Sequence, residues 1–182
     1  FATFDVFCYG GSSGAINLSA SGGTAPYVYQ WNTGSNSEDL NNISAGVYTV
    51  TASAQTGCAA TGNVEIFEGN QINVTETLVS PLCPAGSDGS ISISANGGNS
   101  PYNYSWNIGN NNQTISGLSA GNYYVTVTDL NSCQTIATYY LSDPAQLSLN
   151  EVISDISCSG ANDGSIALNV SGGTAPYNYM WS

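Results

Sequence analysis

The chain has 182 residues, of which 12 are acidic and none is Lys, Arg or His, so its formal charge is −12. A chain without basic side chains cannot neutralise nucleic-acid phosphates or anionic lipid head groups, which excludes both as partners. The lack of His removes the commonest general base and zinc ligand, and the lack of Lys removes Schiff-base chemistry. No apolar run is long enough to predict membrane insertion.

The sequence repeats with a period of 75 residues. Both cysteine positions, a Pro-Tyr pair and a tryptophan recur at this spacing: Cys8, Cys83 and Cys158; Cys58 and Cys133; Pro26-Tyr27, Pro101-Tyr102 and Pro176-Tyr177; Trp31, Trp106 and Trp181. The period predicts the end of a preceding repeat (1–7), repeat 1 (8–82), repeat 2 (83–157) and the truncated start of repeat 3 (158–182). Solenoid repeats run about 20 to 50 residues, so we expect separate small domains in a semi-rigid, rod-like array.

Within a repeat, apolar and polar residues alternate, as in half-buried β-strands. In chain order the apolar positions of repeat 2 are Ile91, Ile93 and Ala95, then Tyr102, Tyr104 and Trp106, then Tyr123, Val125 and Val127, and finally Tyr139 and Leu141. Turns rich in Gly and Asn separate these runs, and no stretch has helical periodicity. Six or seven short strands in each repeat predict an all-β fold of tandem antiparallel β-sandwiches.

The aromatic residues of the Tyr-x-Tyr-x-Trp runs share one face of their strand, so we expect them in the core. A tyrosine that follows Ala-Gly-x before another strand resembles a tyrosine corner, whose hydroxyl pins a turn. The predicted core set is Tyr27, Tyr29, Trp31, Tyr48, Tyr102, Tyr104, Trp106 and Tyr123. An exposed face of such aromatics could instead stack on sugars, so a carbohydrate platform is the alternative.

Five cysteines in this acidic chain favour an oxidising, extracellular setting. The period predicts the disulfides Cys8–Cys58 and Cys83–Cys133, and it places the partner of Cys158 outside the chain. Metal or redox chemistry is the alternative, but no CxxC pair and no histidine accompany the thiols.

Acidic side chains could form a calcium site or a catalytic pair. Asp88 and Asp163 each precede a glycine and, with Asp129, could ligate calcium as a rigidifier between repeats, although Asp-Gly is also a common turn dipeptide. A glycosidase needs two carboxylates across a cleft. The pair Glu38-Asp39 is replaced by Gln113-Thr114 in repeat 2, so we predict no enzymatic activity and no required cofactor.

One extended motif resembles a known family. It comprises Cys83, Asp88-Gly89-Ser90-Ile91, Gly97-Gly98, Pro101-Tyr102, Tyr104, Trp106, Gly109, Leu118-Ser119-Ala120-Gly121, Tyr123, Val125-Thr126-Val127-Thr128-Asp129 and Cys133. This motif is similar to the SprB-type repeat of very large surface adhesins in gliding Bacteroidetes and of other proteins exported by type IX secretion. The resemblance implies an immunoglobulin-like or PKD-like sandwich, cell-surface display, and adhesion or gliding motility, with no catalytic residues.

The expected function is therefore a structural stalk in a large secreted bacterial adhesin. Neighbouring repeats of the same chain are the expected partners, together with a surface polysaccharide or another adhesive target. Two alternatives are an array of carbohydrate-binding repeats and an accessory region of a secreted polysaccharide-active enzyme.

Overall fold

The computed structural model describes residues 1–182, which form fourteen β-strands. The strands are β1 (Ala2–Phe4), β2 (Gly14–Asn17), β3 (Tyr27–Trp31), β4 (Leu40–Ile43), β5 (Gly46–Ala54), β6 (Ala59–Ile66), β7 (Asn73–Val79), β8 (Gly89–Asn96), β9 (Asn103–Trp106), β10 (Thr114–Leu118), β11 (Gly121–Thr128), β12 (Gln134–Leu141), β13 (Ser148–Ser154) and β14 (Ser165–Ser171). No helix is present that is long and apolar enough to cross a membrane. The predicted all-β class is confirmed.

The first compact unit contains residues 1–73, 95–103 and 127–135. Within it, two antiparallel sheets have the strand orders β1-β2-β4 and β3-β5-β6. Both sheets contribute side chains to one buried cluster, formed by Val6, Ile16, Tyr29, Trp31, Leu40, Tyr48, Val50 and Ile66. Two sheets that share a single apolar core define a β-sandwich.

Strand β5 shows how alternation builds this core. Tyr48 and Val50 are buried, whereas Val47, on the opposite face of the strand, is 56% exposed. Successive side chains of a strand point to opposite faces, so a sequence with period two buries one face and leaves the other in water.

The second compact unit contains residues 74–94, 104–126 and 136–182. Strands β7 to β12 form sheets with the orders β10-β8-β7 and β12-β11-β9, which reproduce the orders of β1 to β6 strand by strand. Core residues also correspond at the 75-residue spacing: Ile16 and Ile91, Trp31 and Trp106, Leu40 and Ile115, Tyr48 and Tyr123, Val50 and Val125, Ile66 and Leu141. Three strands against three in this order is the arrangement of strands A, B, E and C, F, G in immunoglobulin domains.

The folded sandwiches do not begin at the residues where the predicted repeats begin. Residues 73–79 were expected to end repeat 1, but they form β7, which pairs with β8 in the sheet of the second sandwich. A period fixes the spacing between equivalent residues, but it does not fix the residue at which each folded unit begins. Strand pairing sets that boundary.

The third repeat begins with a two-stranded sheet. Strands β13 and β14 pair along their full length, from Ser148 opposite Ser171 to Ser154 opposite Ser165. Ile166 is 54% exposed, although its equivalents Ile16 and Ile91 are fully buried. One apolar face of this hairpin therefore has no facing sheet.

One buried polar atom in the second sandwich lacks a hydrogen-bond partner, the hydroxyl of Tyr139. Burial raises the pKa of this phenol, and the charge of Glu76 raises it further. In the first repeat the equivalent position is Val64, which carries no polar atom. The hydroxyl is therefore not required by the fold.

We expect Tyr139→Phe to leave the free energy of unfolding at pH 7 unchanged or to raise it by about 1 kcal/mol, because no hydrogen bond is lost. The raised pKa in the folded state means that the unfolded chain ionises first, so the parent loses stability as pH rises above about 10. Phenylalanine cannot ionise, and the variant should lose less stability in that range.

Urea denaturation at pH 7 and at pH 10.5 measures both effects. Tyr123→Phe is the matched control, because it removes the hydrogen bond from the Tyr123 hydroxyl to the carbonyl oxygen of Ser119 at 2.8 Å. This control should lower stability by about 1 kcal/mol at pH 7. An equal loss in both variants would contradict the assignment of Tyr139.

Candidate functional site

The structure contains one disulfide bond, between Cys8 and Cys133. Their Cα atoms are 5.4 Å apart, and they are separated by 125 residues in the sequence. Cys58, Cys83 and Cys158 are unbonded and exposed. The predicted pairs Cys8–Cys58 and Cys83–Cys133 are therefore wrong in this structure, because the bond joins a cysteine of repeat 1 to one of repeat 2.

The length of β6 explains why Cys8 does not bond to Cys58. Cys58 directly precedes this eight-residue strand. The loop of Cys8 lies at the other end, where the backbone amide of Gly10 donates to a carboxylate oxygen of Glu68 at 2.5 Å. A strand of this length spans about 26 Å, whereas a disulfide needs Cα atoms within about 7 Å.

Repeat 2 carries its cysteines in the same two places. Cys133 directly precedes β12, while the amide of Ala85 donates to the carboxylate of Asp143 at 3.1 Å, just after that strand. Gly10 and Ala85 both have positive φ, 70° and 57°. The loop that follows the first cysteine of each repeat is thus held by an acidic side chain from the end of the same repeat.

The disulfide lies in a joint that we define by three segments, Asn70–Ile72, Gly97–Asn99 and Asp129–Cys133. The amide of Gly98 donates to the carbonyl oxygen of Asn70 at 3.2 Å. A Cβ atom on Gly97 would collide with the carbonyl oxygen of Gln71. Gly97 and Gly98 have φ values of 76° and 54°, so only glycine provides both the conformation and the space at this turn.

Asp129 organises the turn that carries Cys133. One of its carboxylate oxygens accepts from the amide of Cys133, and the other accepts from the amide of Asn99, both at 2.9 Å. Asp129 is 4% exposed. It therefore joins the cysteine turn to the Gly97–Asn99 segment through a buried carboxylate, a role that the sequence prediction of a calcium ligand missed.

The two other predicted calcium residues bind backbone amides in the same way. Asp88 accepts from the amide of Leu82 at 3.1 Å, and Asp163 accepts from the amide of Ser157 at 3.0 Å. Hydrogen bonds from Ser157 lower the pKa of Asp163. No group of three or more Cys, Asp or Glu side chains is placed to hold a metal ion.

The predicted aromatic core residues lie mostly in the interior. Tyr29, Trp31, Tyr48, Trp106 and Tyr123 are buried, and Tyr27, Tyr102 and Tyr104 are partly buried. The hydroxyls of Tyr48 and Tyr123 each donate at 2.8 Å to the carbonyl oxygen four residues earlier, which is the predicted tyrosine-corner interaction. The structure therefore gives these residues packing and turn-forming contacts.

The two tryptophans of the complete sandwiches are enclosed. Trp31 and Trp106 are 2% and 3% exposed, and their indole N–H groups donate to the carbonyl oxygens of Ser37 and Asn112. Burial raises the pKa of Tyr29, as does the hydrogen bond that its hydroxyl donates to Glu38. These two rings do not form a surface on which a sugar could stack.

The fold and the joint define a class: tandem β-sandwich repeats with the immunoglobulin-like strand order, linked covalently from one repeat to the next. The sequence profile of the SprB repeat matches residues 1–36, 75–111 and 150–182, which is more than half of the chain. This chain therefore belongs to the SprB repeat family, as the sequence motif predicted. Comparison with curated protein sequences found no match.

Two solved structures are similar to this chain. The first contains the N-terminal eight Ig domains of Down Syndrome Cell Adhesion Molecule isoform 1.30.30, with 16% identity, a TM-score of 0.37, and coverage of 74% of this chain and 20% of that one. The second is the amphioxus IgVJ-C2 molecule, with 14% identity, a TM-score of 0.32, and coverage of 72% and 97% respectively. This chain thus spans about a fifth of the first structure's length.

We expect Cys133→Ser to lower the free energy of unfolding by about 3 to 5 kcal/mol, because the bond closes a loop of 125 residues in the unfolded chain. Urea denaturation measures the loss. Cys58→Ser is the control and should change stability by less than about 0.5 kcal/mol, because Cys58 is exposed and unbonded. Equal losses in the two variants, or none in Cys133→Ser, would contradict the observed pairing.

Gly97→Ala should destabilise the chain more than Gly22→Ala, the same change in repeat 1. Both glycines have positive φ, 76° and 85°, so the backbone cost of about 1 to 2 kcal/mol is shared. Only Gly97 faces the Gln71 carbonyl, and a Cβ on Gly22 meets nothing within 4 Å. Thermal unfolding of both variants tests the joint, and equal shifts in Tm would contradict it.

Proposed function

We propose that this chain is part of the repeat region of a secreted bacterial cell-surface adhesin, and that its repeats serve as spacers. Membership of the SprB repeat family supports the surface setting. The observation that carries the spacer role is the covalent bond from Cys8 of repeat 1 to Cys133 of repeat 2. A bond between repeats resists separation of neighbours, which a load-bearing stalk needs and an isolated binding module does not.

The contacts that side chains make within the sandwiches support the spacer role. Aromatic rings and aliphatic chains fill the cores, and the carboxylates of Glu68 and Asp129 bind backbone amides. These two carboxylates are thus engaged in holding the backbone. We assign no catalytic role to the chain.

The charge of −12 with no basic residue supports a role in an extended surface structure. Chains of uniform negative charge repel each other, which opposes clumping of neighbouring stalks. The same composition offers trypsin-like proteases no Lys or Arg at which to cleave. Both effects favour survival of an exposed stalk outside the cell.

The carbohydrate-binding array has less support. It requires exposed aromatic rings at the same place in every repeat, but Trp31 and Trp106 are enclosed in their cores. A role as accessory region of a polysaccharide-active enzyme rests on no contact in this structure. We therefore propose the stalk alone.

A copy-number experiment in the producing bacterium tests the spacer role. Four extra copies of residues 83–157 are inserted after residue 157 of the parent protein, and the reach of the surface fibre is measured by electron cryotomography. Each sandwich contributes about 30 to 40 Å, so the fibre should lengthen by about 120 to 160 Å. Cell adhesion should persist.

The purified chain on a glycan array is the companion measurement, and no specific binding is expected. Fibre length that does not change with copy number would overturn the spacer role. Strong glycan binding that increases with copy number would replace it with the carbohydrate-binding array.

A further inference from the structure

The cysteines of this chain follow a pattern that the single observed bond reveals. Cys8 and Cys133 are separated by 125 residues, which is the 50-residue spacing of the two cysteines within a repeat plus one period of 75. The bond therefore joins the first cysteine of one repeat to the second cysteine of the next. The unbonded Cys58, Cys83 and Cys158 each lie 125 residues from a position outside these 182 residues.

We propose that every pair of neighbouring repeats in the array is joined by such a bond, an arrangement that we call a ladder. Cys83 and Cys158 each bond to the second cysteine of the repeat that follows. Cys58 bonds to the first cysteine of the repeat that precedes it. This inference concerns how repeats are joined, and it does not depend on the adhesin role. The argument does not rest on the thiols alone, because the surroundings of Cys8 recur around Cys83.

The backbone of the joint recurs one period later. The amide of Gly173 donates to the carbonyl oxygen of Ala145 at 2.7 Å, as the amide of Gly98 does to Asn70. A Cβ on Gly172 would collide with the carbonyl oxygen of Gln146, as one on Gly97 would with Gln71. The start of repeat 3 is therefore set against the end of repeat 2 by the same contacts.

Cys83 lies beside this second joint in the place that Cys8 takes beside the first. Cys8, Ile72 and Cys133 line a cavity of about 110 Å³. Cys83 and Leu147, the equivalents of Cys8 and Ile72, line a cavity of about 730 Å³. The larger cavity is also lined by apolar residues of the third repeat such as Leu168 and Tyr177, and the Cys83 thiol is unbonded and exposed.

Cys58 shows the complementary half of a joint. Its turn has the same backbone bonds as the turn of Cys133, since the amide of Ala54 donates to the carbonyl oxygen of Cys58 at 2.8 Å and that of Asp129 to Cys133 at 2.9 Å. Cys58 and Gly22 line a cavity of about 470 Å³. Gly22 faces open space, whereas its equivalent Gly97 contacts the joint segment. Cys58 thus takes the same place in repeat 1 that Cys133 takes in repeat 2.

Formation of each bond is an oxidation with a defined balance. Two thiols lose two protons and two electrons and gain one S–S bond. A small-molecule disulfide such as oxidised glutathione accepts the electrons, its own S–S bond breaks, and it leaves as two thiols. The extracellular setting proposed for the chain permits such bonds to persist.

The test extends the chain by one repeat. A copy of residues 83–157 is inserted after residue 157 of the full chain, and Cys8→Ser and Cys133→Ser remove the bond already observed. The purified protein is refolded with oxidised and reduced glutathione, digested with chymotrypsin without reduction, and mapped by mass spectrometry. The two first cysteines are distinguishable, because Cys83 follows the sequence VSPL and its copy follows SDIS.

We expect a disulfide between Cys83 and the copied Cys133, with three thiols remaining in each denatured chain. The same chain with the copied Cys133 also replaced by serine is the matched control, and it should contain no disulfide and four thiols. A bond between the copied Cys83 and the copied Cys133 would overturn the proposal in favour of pairing within a repeat. Disulfide-linked dimers, or no bond at all, would overturn it as well.

The unextended chain provides a second measurement that needs no new fold. Thiol titration in denaturant should find three thiols, from Cys58, Cys83 and Cys158. Pairing within repeats would leave only Cys158 free and give one thiol. That result would overturn the ladder even if the extended chain failed to refold.

Discussion

The close contact between the Gly97–Gly98 turn and the segment Asn70–Ile72 defines the joint that contains the disulfide. The contact leaves no room for a Cβ atom at Gly97, and its hydrogen bond joins the backbone groups of Gly98 and Asn70. The segment leads directly into β7, which begins at Asn73. The turn of Cys133 lies next to the loop of Cys8 at this joint, and the disulfide bonds the two.

The disulfide at this joint determines how the chain carries a pulling force. The bond spans 125 residues, so a force applied outside Cys8 and Cys133 passes through the covalent bridge and not through the strands between them. Noncovalent contacts at the joint position the two cysteines, but they are individually weak compared with a covalent bond. A chain joined in this way resists extension without needing a large interface between its domains.

Alternation of apolar residues was sufficient to predict the strands, the sandwich class and core residues such as Trp31 and Trp106. The cysteine pairing was not predictable from the period, because separations of 50 and 125 residues differ by one whole repeat. The positions of the cysteines in a periodic sequence are compatible both with pairing within a repeat and with pairing between repeats. The length of β6 keeps Cys8 and Cys58 too far apart to bond and so excludes pairing within a repeat. This distance is a property of the folded strand and cannot be read from the cysteine spacing. The role of Asp129 was missed for a related reason, since its partners are backbone amides.

The two cysteine turns are alike in backbone but differ in one side chain. Asp129 holds the turn of Cys133 through two backbone amides, whereas its equivalent in repeat 1 is Ala54. A turn fixed before the thiols react loses less conformational freedom when the bond forms. The buried carboxylate thus favours bond formation at Cys133 by holding its turn in place. The two repeats share the same strand arrangement, and repeat 2 additionally has Asp129, which positions Cys133 for its bond to Cys8.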